Sequence, residues 1–303
     1  MQLQQLLSET LPATSYGHSQ DLGVISIQGP DSVKLLQGQT TADMKLVSEQ
    51  ASVFGAVCTP KGRIIANFYI LQKANDSFLM VLKQDVLDTL LAHLKKYAVF
   101  FKTDLEDVSA QYQVSSLFAL TDTLEPQEHY DLAIPTTHQE GCYQLILNNT
   151  YYQETLTVAH SAEELPTAED PSAHKVMGLL AARPLLGQAH LEEILPQWIN
   201  MQRNGGISFT KGCYTGQEIV ARMKYRGKSK KHLALCTCEG PIKIGSDVLN
   251  AEGKAIGSVF DCAPAGPAYV AQLILNVEQD EISDATVEGS TITLLPLPYE
   301  LGS

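Results

Sequence analysis

The stretch KGCYTGQEIVARMKYRGKSKK, residues 211–231, concentrates the side chains of this chain most able to do chemistry. It holds a cysteine, Cys213, and gathers seven of the 21 basic residues, with only Glu218 opposing them. Thr215-Gly216-Gln217-Glu218 fits the T-x-x-E capping box, and Ile219, Val220 and Met223 follow as an apolar stripe, so the spacing predicts a helix beginning at Thr215. Cys213 would then lie two residues before the cap, where the positive helix end and nearby Lys211 favour a thiolate. The same residues also read as a plain structural turn, with Thr215 and Glu218 capping, Gly212 and Gly216 permitting the bend, and Cys213 packed as a small side chain. Arg222, Lys224, Arg226, Lys228, Lys230 and Lys231 are either a solvated face or the place where an anionic partner docks.

Such a loop needs a scaffold, and 303 residues with 44% hydrophobic and 18% charged content can supply two or three cored domains. The formal net charge of −13 disfavours general nucleic-acid binding, so an anionic partner must use the local basic patch. Six cysteines without a CxxC pair fit neither a disulfide framework nor a zinc site, and no metal is expected. The opening MQLQQLLSETLPATSYG lacks the features of a secretory signal, and no stretch has the length of a membrane span, which points to a cytoplasmic protein.

LGVISIQ (22–28) alternates as a strand, and GPDSVKLLQGQ follows as a turn and short helix with Pro30 in its first turn. ASVFGAVC, RIIANFYILQ and SFLMVL read as three antiparallel strands broken at 59–62 and 75–76. QDVLDTLLAHLKKY carries leucines at helical spacing and should cover one sheet face. Beyond about residue 112, YQVSSLFAL, CYQLILN and a helix capped by Asp170, with Pro171 first, suggest a second α+β lobe. After Lys231 only short strands between Gly and Pro breaks remain, which favours a small barrel. The division is thus 1–230, two α+β lobes ending in the motif loop and basic helix, and 231–303, a barrel.

KGCYTGQE followed by VARMKYRG resembles the signature of the bacterial YgfZ family, folate-binding relatives of the glycine-cleavage T-protein. DSVKLLQGQTTADM, LKKYAVF, NGGISFTKGCYTGQE and the closing LPLPY occur in the same order, so the resemblance runs nearly end to end. It implies a T-protein-like fold of three lobes, two α+β and one C-terminal antiparallel β-barrel, around a central cavity for tetrahydrofolate or a derivative. It also implies an accessory role in maintaining iron–sulfur enzymes and thereby tRNA thiomethylation, with those enzymes or cluster-assembly proteins as partners. Direct tRNA contact is possible on this reading but not required. By the same resemblance Lys211, Gly212, Cys213, Tyr214, Gly216, Gln217 and Glu218 form the functional motif, Cys213 as its thiol and Lys211 as the activator.

Two departures bear on function. T-proteins carry G-G-x-x-D-D where this chain has Gly62-Arg63-Ile64-Ile65-Ala66-Asn67, so the carboxylate that supports methylene transfer is missing and aminomethyltransferase activity, the alternative reading, is disfavoured. Two positions that hold folate-linked tryptophans in enterobacterial relatives fall here on Leu22, which cannot stack, and His174, which stacks weakly. Trp198, the only tryptophan, lies elsewhere and reads as a partly buried packing residue. The basic residues Arg222, Lys224, Arg226 and Lys228 are then expected at the cavity mouth, attracting the glutamate tail of a folate.

Overall fold

Alternation along the first strands sorts their side chains onto two faces, and both faces are covered. The computed structural model describes residues 14–18, 21–120, 126–139, 141–148, 152–163, 165, 171–225, 229–277 and 282–301. Among these residues ten strands precede the barrel: β1 (Thr14–His18), β2 (Leu22–Gln28), β3 (Ala51–Cys58), β4 (Ile64–Ala74), β5 (Ser77–Lys83), β6 (Asp104–Asp107), β7 (Tyr112–Leu120), β8 (Ala133–Gln139), β9 (Cys142–Asn148) and β10 (Tyr152–His160). They form one sheet in the order β1-β7-β10-β9-β8-β3-β4-β5-β2-β6. The two expected α+β lobes are the halves of this sheet, joined where Ala51 and Ser52 of β3 pair with Pro135 and Ile134 of β8. A hydrogen bond of 2.6 Å between the Ser52 and Thr136 hydroxyls reinforces the seam.

In β4, Ala66, Phe68 and Ile70 join a core shared with helices α1 (Ser32–Gln39) and α2 (Leu87–Ala98), whereas Tyr69 and Leu71 join the central core on the opposite face. Leu87, Leu90 and Leu94 anchor α2 on that sheet; each fully buried leucine contributes roughly 1.5–3 kcal/mol. Pro30 stands before α1 instead of in its first turn, and Asp31 occupies the cap position. The Asp31 carboxylate accepts from the Lys102 backbone N–H at 3.0 Å, tying the helix start to the chain beyond α2.

Helix α3 (Pro171–Leu180) begins with the proline expected of it and packs against β1 and the barrel; Asp170 lies outside the described residues. The barrel is built from β11 (His232–Cys238), β12 (Asp247–Leu249), β13 (Ala255–Ala265), β14 (Ala268–Leu275), β15 (Thr286–Val287) and β16 (Ser290–Leu295), closed in the order β11-β14-β13-β12-β15-β16. Cys236 and Cys238 do share a face, and both sit in the barrel core. Among the described residues, no His, Cys, Asp and Glu group is placed to hold a metal ion. No helix among them is long and apolar enough to cross a membrane.

Candidate functional site

A cavity of about 290 Å³ opens where β4, β7, β9 and β10, helix α3, the segment 181–185 and the barrel strands β13 and β14 meet. Leu22 and His174, distant in sequence, both line it. The Leu22 side chain is half-buried at the start of β2. His174 is held edge-on to Phe118, with ring centroids 4.9 Å apart, and it presses on β1 so closely that a Cβ at Gly17 would lie 1.8 Å from its ring. Burial, partly opposed by Asp21, lowers the pKa of His174 and favours the neutral imidazole.

Glu154, the third residue of β10, places a carboxylate on the cavity wall. Its side chain is half-buried and lines the cavity. Burial raises its pKa; the Ser116 hydroxyl, donating at 2.7 Å, and Arg183 act in the opposite sense. Arg183 is itself buried, donates Nε to the Asn204 carbonyl at 3.0 Å and lies 4.3 Å from the Tyr130 ring centre. Gln272 donates Nε2 to the Leu179 carbonyl at 2.7 Å, joining β14 to α3. Among the described residues, His174 Nε2 and Gln272 Oε1 are buried without a hydrogen-bond partner. At the rim, Lys83 pairs with Asp21, and Lys175 pairs with Asp261 at 3.0 Å. A bulge in β13 between Val259 and Asp261 sets the pairing register there.

Neither residue replacing the T-protein aspartates is free to act in this cavity. Ala66 faces the helix-covered side of the sheet. Asn67 is fully buried, donates Nδ2 to the Pro184 carbonyl at 2.7 Å and accepts the Leu186 N–H at 2.7 Å. Its amide fixes the segment that forms part of the cavity wall.

The signature loop sits apart from the cavity, against the end of α1 and the β3–β4 turn. Lys211 and Tyr214 are buried, while Gly212 and Cys213 between them are exposed. The Lys211 ammonium donates to the carbonyls of Gln37, Thr40 and Ala42 at 2.8, 2.6 and 2.7 Å. Its burial lowers the pKa to about 8. With its three N–H donors on three carbonyls, Lys211 anchors the loop. The helix also starts later than the spacing predicts: α4 runs Gln217–Tyr225. Thr215 bonds Gln39 Oε1 at 3.3 Å instead of capping, and Gly216 takes a left-handed φ of 85°. Cys213 is therefore four residues from the first helical residue, displayed by two anchors and not held at a helix end.

A protein named tRNA-modifying protein YgfZ from Photorhabdus laumondii is 32% identical over 98% of this chain and 95% of its own length. The proteins of the same name from Serratia proteamaculans and Vibrio atlanticus are 31% and 30% identical over 93% and 97% of this chain, covering 91% and 95% of their own lengths. The chain belongs to the YgfZ family. The family described as GCVT N-terminal domain matches residues 18–118, the first strands through most of β7. The crystal structure of the glycine cleavage system aminomethyltransferase T from Bartonella henselae superposes with a TM-score of 0.69 over 99% of this chain and 89% of that one; at 15% identity the likeness concerns the fold.

Of the basic residues expected at the cavity mouth in this YgfZ-family fold, only Arg222 and Lys224 belong to the described residues. Arg222 and Lys224 are on α4, and neither lines the cavity; Arg226 and Lys228 lie outside the described residues. The reason is the docking of the loop: α4 leaves it against the 59–62 turn and the 196–199 turn, where Gln197 Nε2 donates to the Val220 carbonyl at 2.8 Å. Among the described residues, the cations that line the cavity are Lys83, Lys175 and Arg183. These, with Glu154 and Gln272, were not singled out in the sequence. A carboxylate inside the strand-like YQETLTVAH was the available signal for Glu154.

Proposed function

We propose that this chain binds a reduced folate of the tetrahydrofolate class in the central cavity and serves as an accessory protein to iron–sulfur enzymes, those that thiomethylate tRNA among them. The observation that carries the folate reading is the joint placement of Leu22, His174, Glu154 and Gln272 on one wall set. A reduced pterin presents several ring and amino N–H donors. The Glu154 carboxylate and the unpartnered Gln272 Oε1 supply acceptors, and Arg183 supplies positive charge for the ring carbonyl. At about 290 Å³ the cavity is at the small end for ligand sites, so it suits the ring head, with the aminobenzoyl-glutamate part leaving past the Lys83 and Lys175 rim. Leu22 in place of a stacking aromatic keeps the affinity modest.

The accessory reading over a transferase rests on Ala66 and Asn67: one faces away from the cavity and the other is tied to Pro184 and Leu186. The tRNA link rests on the name of the relatives and on the displayed Cys213. Calorimetry with tetrahydrofolate should show binding that Glu154→Gln weakens at least tenfold; absence of heat at millimolar ligand would sink the folate reading. Cells lacking the protein should regain methylthiolated tRNA with the parent chain and not with Cys213→Ala, while methylene transfer from defined amine donors should be undetectable.

A further inference from the structure

We propose that the surface built by α4, the 196–199 turn and residues 230–231 binds a single-stranded or loop segment of RNA, by phosphate pairing and base stacking. In a chain of net charge −13, the segments that build this surface carry Lys61, Arg63, Arg222, Lys224, Lys230 and Lys231, of which Arg63, Lys224 and Lys231 lie over its aromatic rings. The ion pairs among the described residues are Lys34–Asp31, Lys83–Asp21 and Lys175–Asp261, and none involves these six. The contacts that join them into one surface are specific. The Arg63 guanidinium lies 4.8 Å and the Lys231 ammonium 4.1 Å from the centre of the Trp198 ring, and Arg63 also donates to the Glu193 carbonyl. Lys224 lies 3.8 Å from the Phe209 ring centre and 5.5 Å from that of Tyr225. Gly62 touches Ile219, which seats the 59–62 turn against α4.

Cations held over aromatic rings, next to a ring that is itself open, match what a flexible polynucleotide requires: charge along the backbone and a π-face for an unstacked base. Tyr225 is that ring, 67% exposed and set edge-on to Phe209 at 6.3 Å. Opposing carboxylates are Glu218, one turn before Arg222, and Glu192 and Glu193 beside Arg63; all are exposed, and none closes an ion pair with the cations. The acidic remainder of the molecule confines a polyanion to this face. Arg222 and Lys224 are not among the residues that line the cavity, and the inference does not depend on the folate reading.

The test is fluorescence anisotropy of the full chain with a labelled unfractionated tRNA and a labelled single-stranded RNA oligonucleotide. If about four phosphates are neutralised, affinity should fall about 50-fold between 50 and 200 mM salt. Arg222→Gln/Lys224→Gln/Lys231→Gln should weaken both RNAs at least tenfold and flatten the salt dependence. Tyr225→Ala should weaken them several-fold with the salt dependence intact, as stacking demands. Thermal melting and tetrahydrofolate titration of each variant report folding and the cavity separately. No RNA binding at 50 mM salt, binding that the triple variant leaves unchanged, or charge-dependent binding to phosphatidylserine vesicles without RNA binding would each overturn the proposal. So would a triple variant that stays folded but loses folate affinity in place of RNA affinity.

Discussion

The Asn67 side chain donates to the Pro184 carbonyl at 2.7 Å, so the position where T-proteins carry an aspartate is here a cross-tie between β4 and the cavity wall. Restoring the carboxylate by Asn67→Asp should therefore not restore transferase chemistry. The new charge would be buried against a carbonyl oxygen, with only the Leu186 N–H to satisfy it, and should cost about 3 kcal/mol at neutral pH. The loss should shrink in acid as the carboxyl protonates. Urea denaturation at pH 7.5 and pH 5 measures both, and a stable Asn67→Asp variant with methylene-transfer turnover would refute the cross-tie.

Gly216 and Gly212 flank Cys213 in sequence but make opposite demands. A Cβ at Gly216 would come within 2.6 Å of the Thr59 carbonyl oxygen, and the φ of 85° is already one that other residues resist. No described residue lies within 4 Å of a Cβ at Gly212. Gly216→Ala should lower stability by about 2 kcal/mol or more, through combined strain and overlap, whereas Gly212→Ala should stay within about 0.5 kcal/mol. Equal melting shifts for the two variants would show that the loop is not docked on the β3–β4 turn.

The strands β2 to β5 were legible in the sequence because each alternates or is apolar throughout, and the breaks at 59–62 and 75–76 carry turn residues. The start of α4 was not. The capping box reads correctly as a pattern, but Gly216 is drawn into a left-handed conformation by close approach to Thr59, and Thr215 finds a better partner in Gln39. Short strands such as β6, β12 and β15 hold too few residues for a period to show. The cavity was half legible: resemblance placed Leu22 and His174, but a lone glutamate in β10 reads as a solvent-facing residue until the opposite wall is known. Which side α4 docks on is a tertiary fact, and adjacency to the motif does not bring Arg222 and Lys224 to the cavity lining.

Glu154 should leave a pH signature. Its folded-state pKa is raised above the unfolded value, chiefly by burial, so between the two values the folded chain binds more protons than the unfolded one. Stability from this group is fully present below the unfolded pKa and is lost as pH rises through the folded pKa. Glu154→Gln, which keeps the shape and removes the ionisation, should melt higher than the parent at pH 7 to 8, and the gap should close as pH falls toward the ordinary carboxylate range. A gap that is independent of pH, or opposite in sign, would mean that Arg183 holds Glu154 ionised at no cost.

Cys213 should be the first cysteine to react with iodoacetamide, because it is exposed while Cys58, Cys236 and Cys238 are buried and Cys142 and Cys262 partly so. Burial also pushes the Cys58 thiol up to about 12, which adds to its protection. The role of Lys211 can be separated from this ordering. Lys211→Met would leave the Gln37, Thr40 and Ala42 carbonyls without their shared donor and should lower stability by about 3 kcal/mol, a cost in the range of lost charge-assisted hydrogen bonds. If Lys211 is an anchor, the pH at which Cys213 alkylates half-maximally should be the same in Lys211→Met as in the parent, and Lys211→Met should differ only in melting temperature and in the uniformity of loop reactivity. If Lys211 activates the thiol, that half-maximal pH must move upward in the variant. Alkylation followed by mass spectrometry across pH 6 to 10, at a temperature well below both melting points, distinguishes the two.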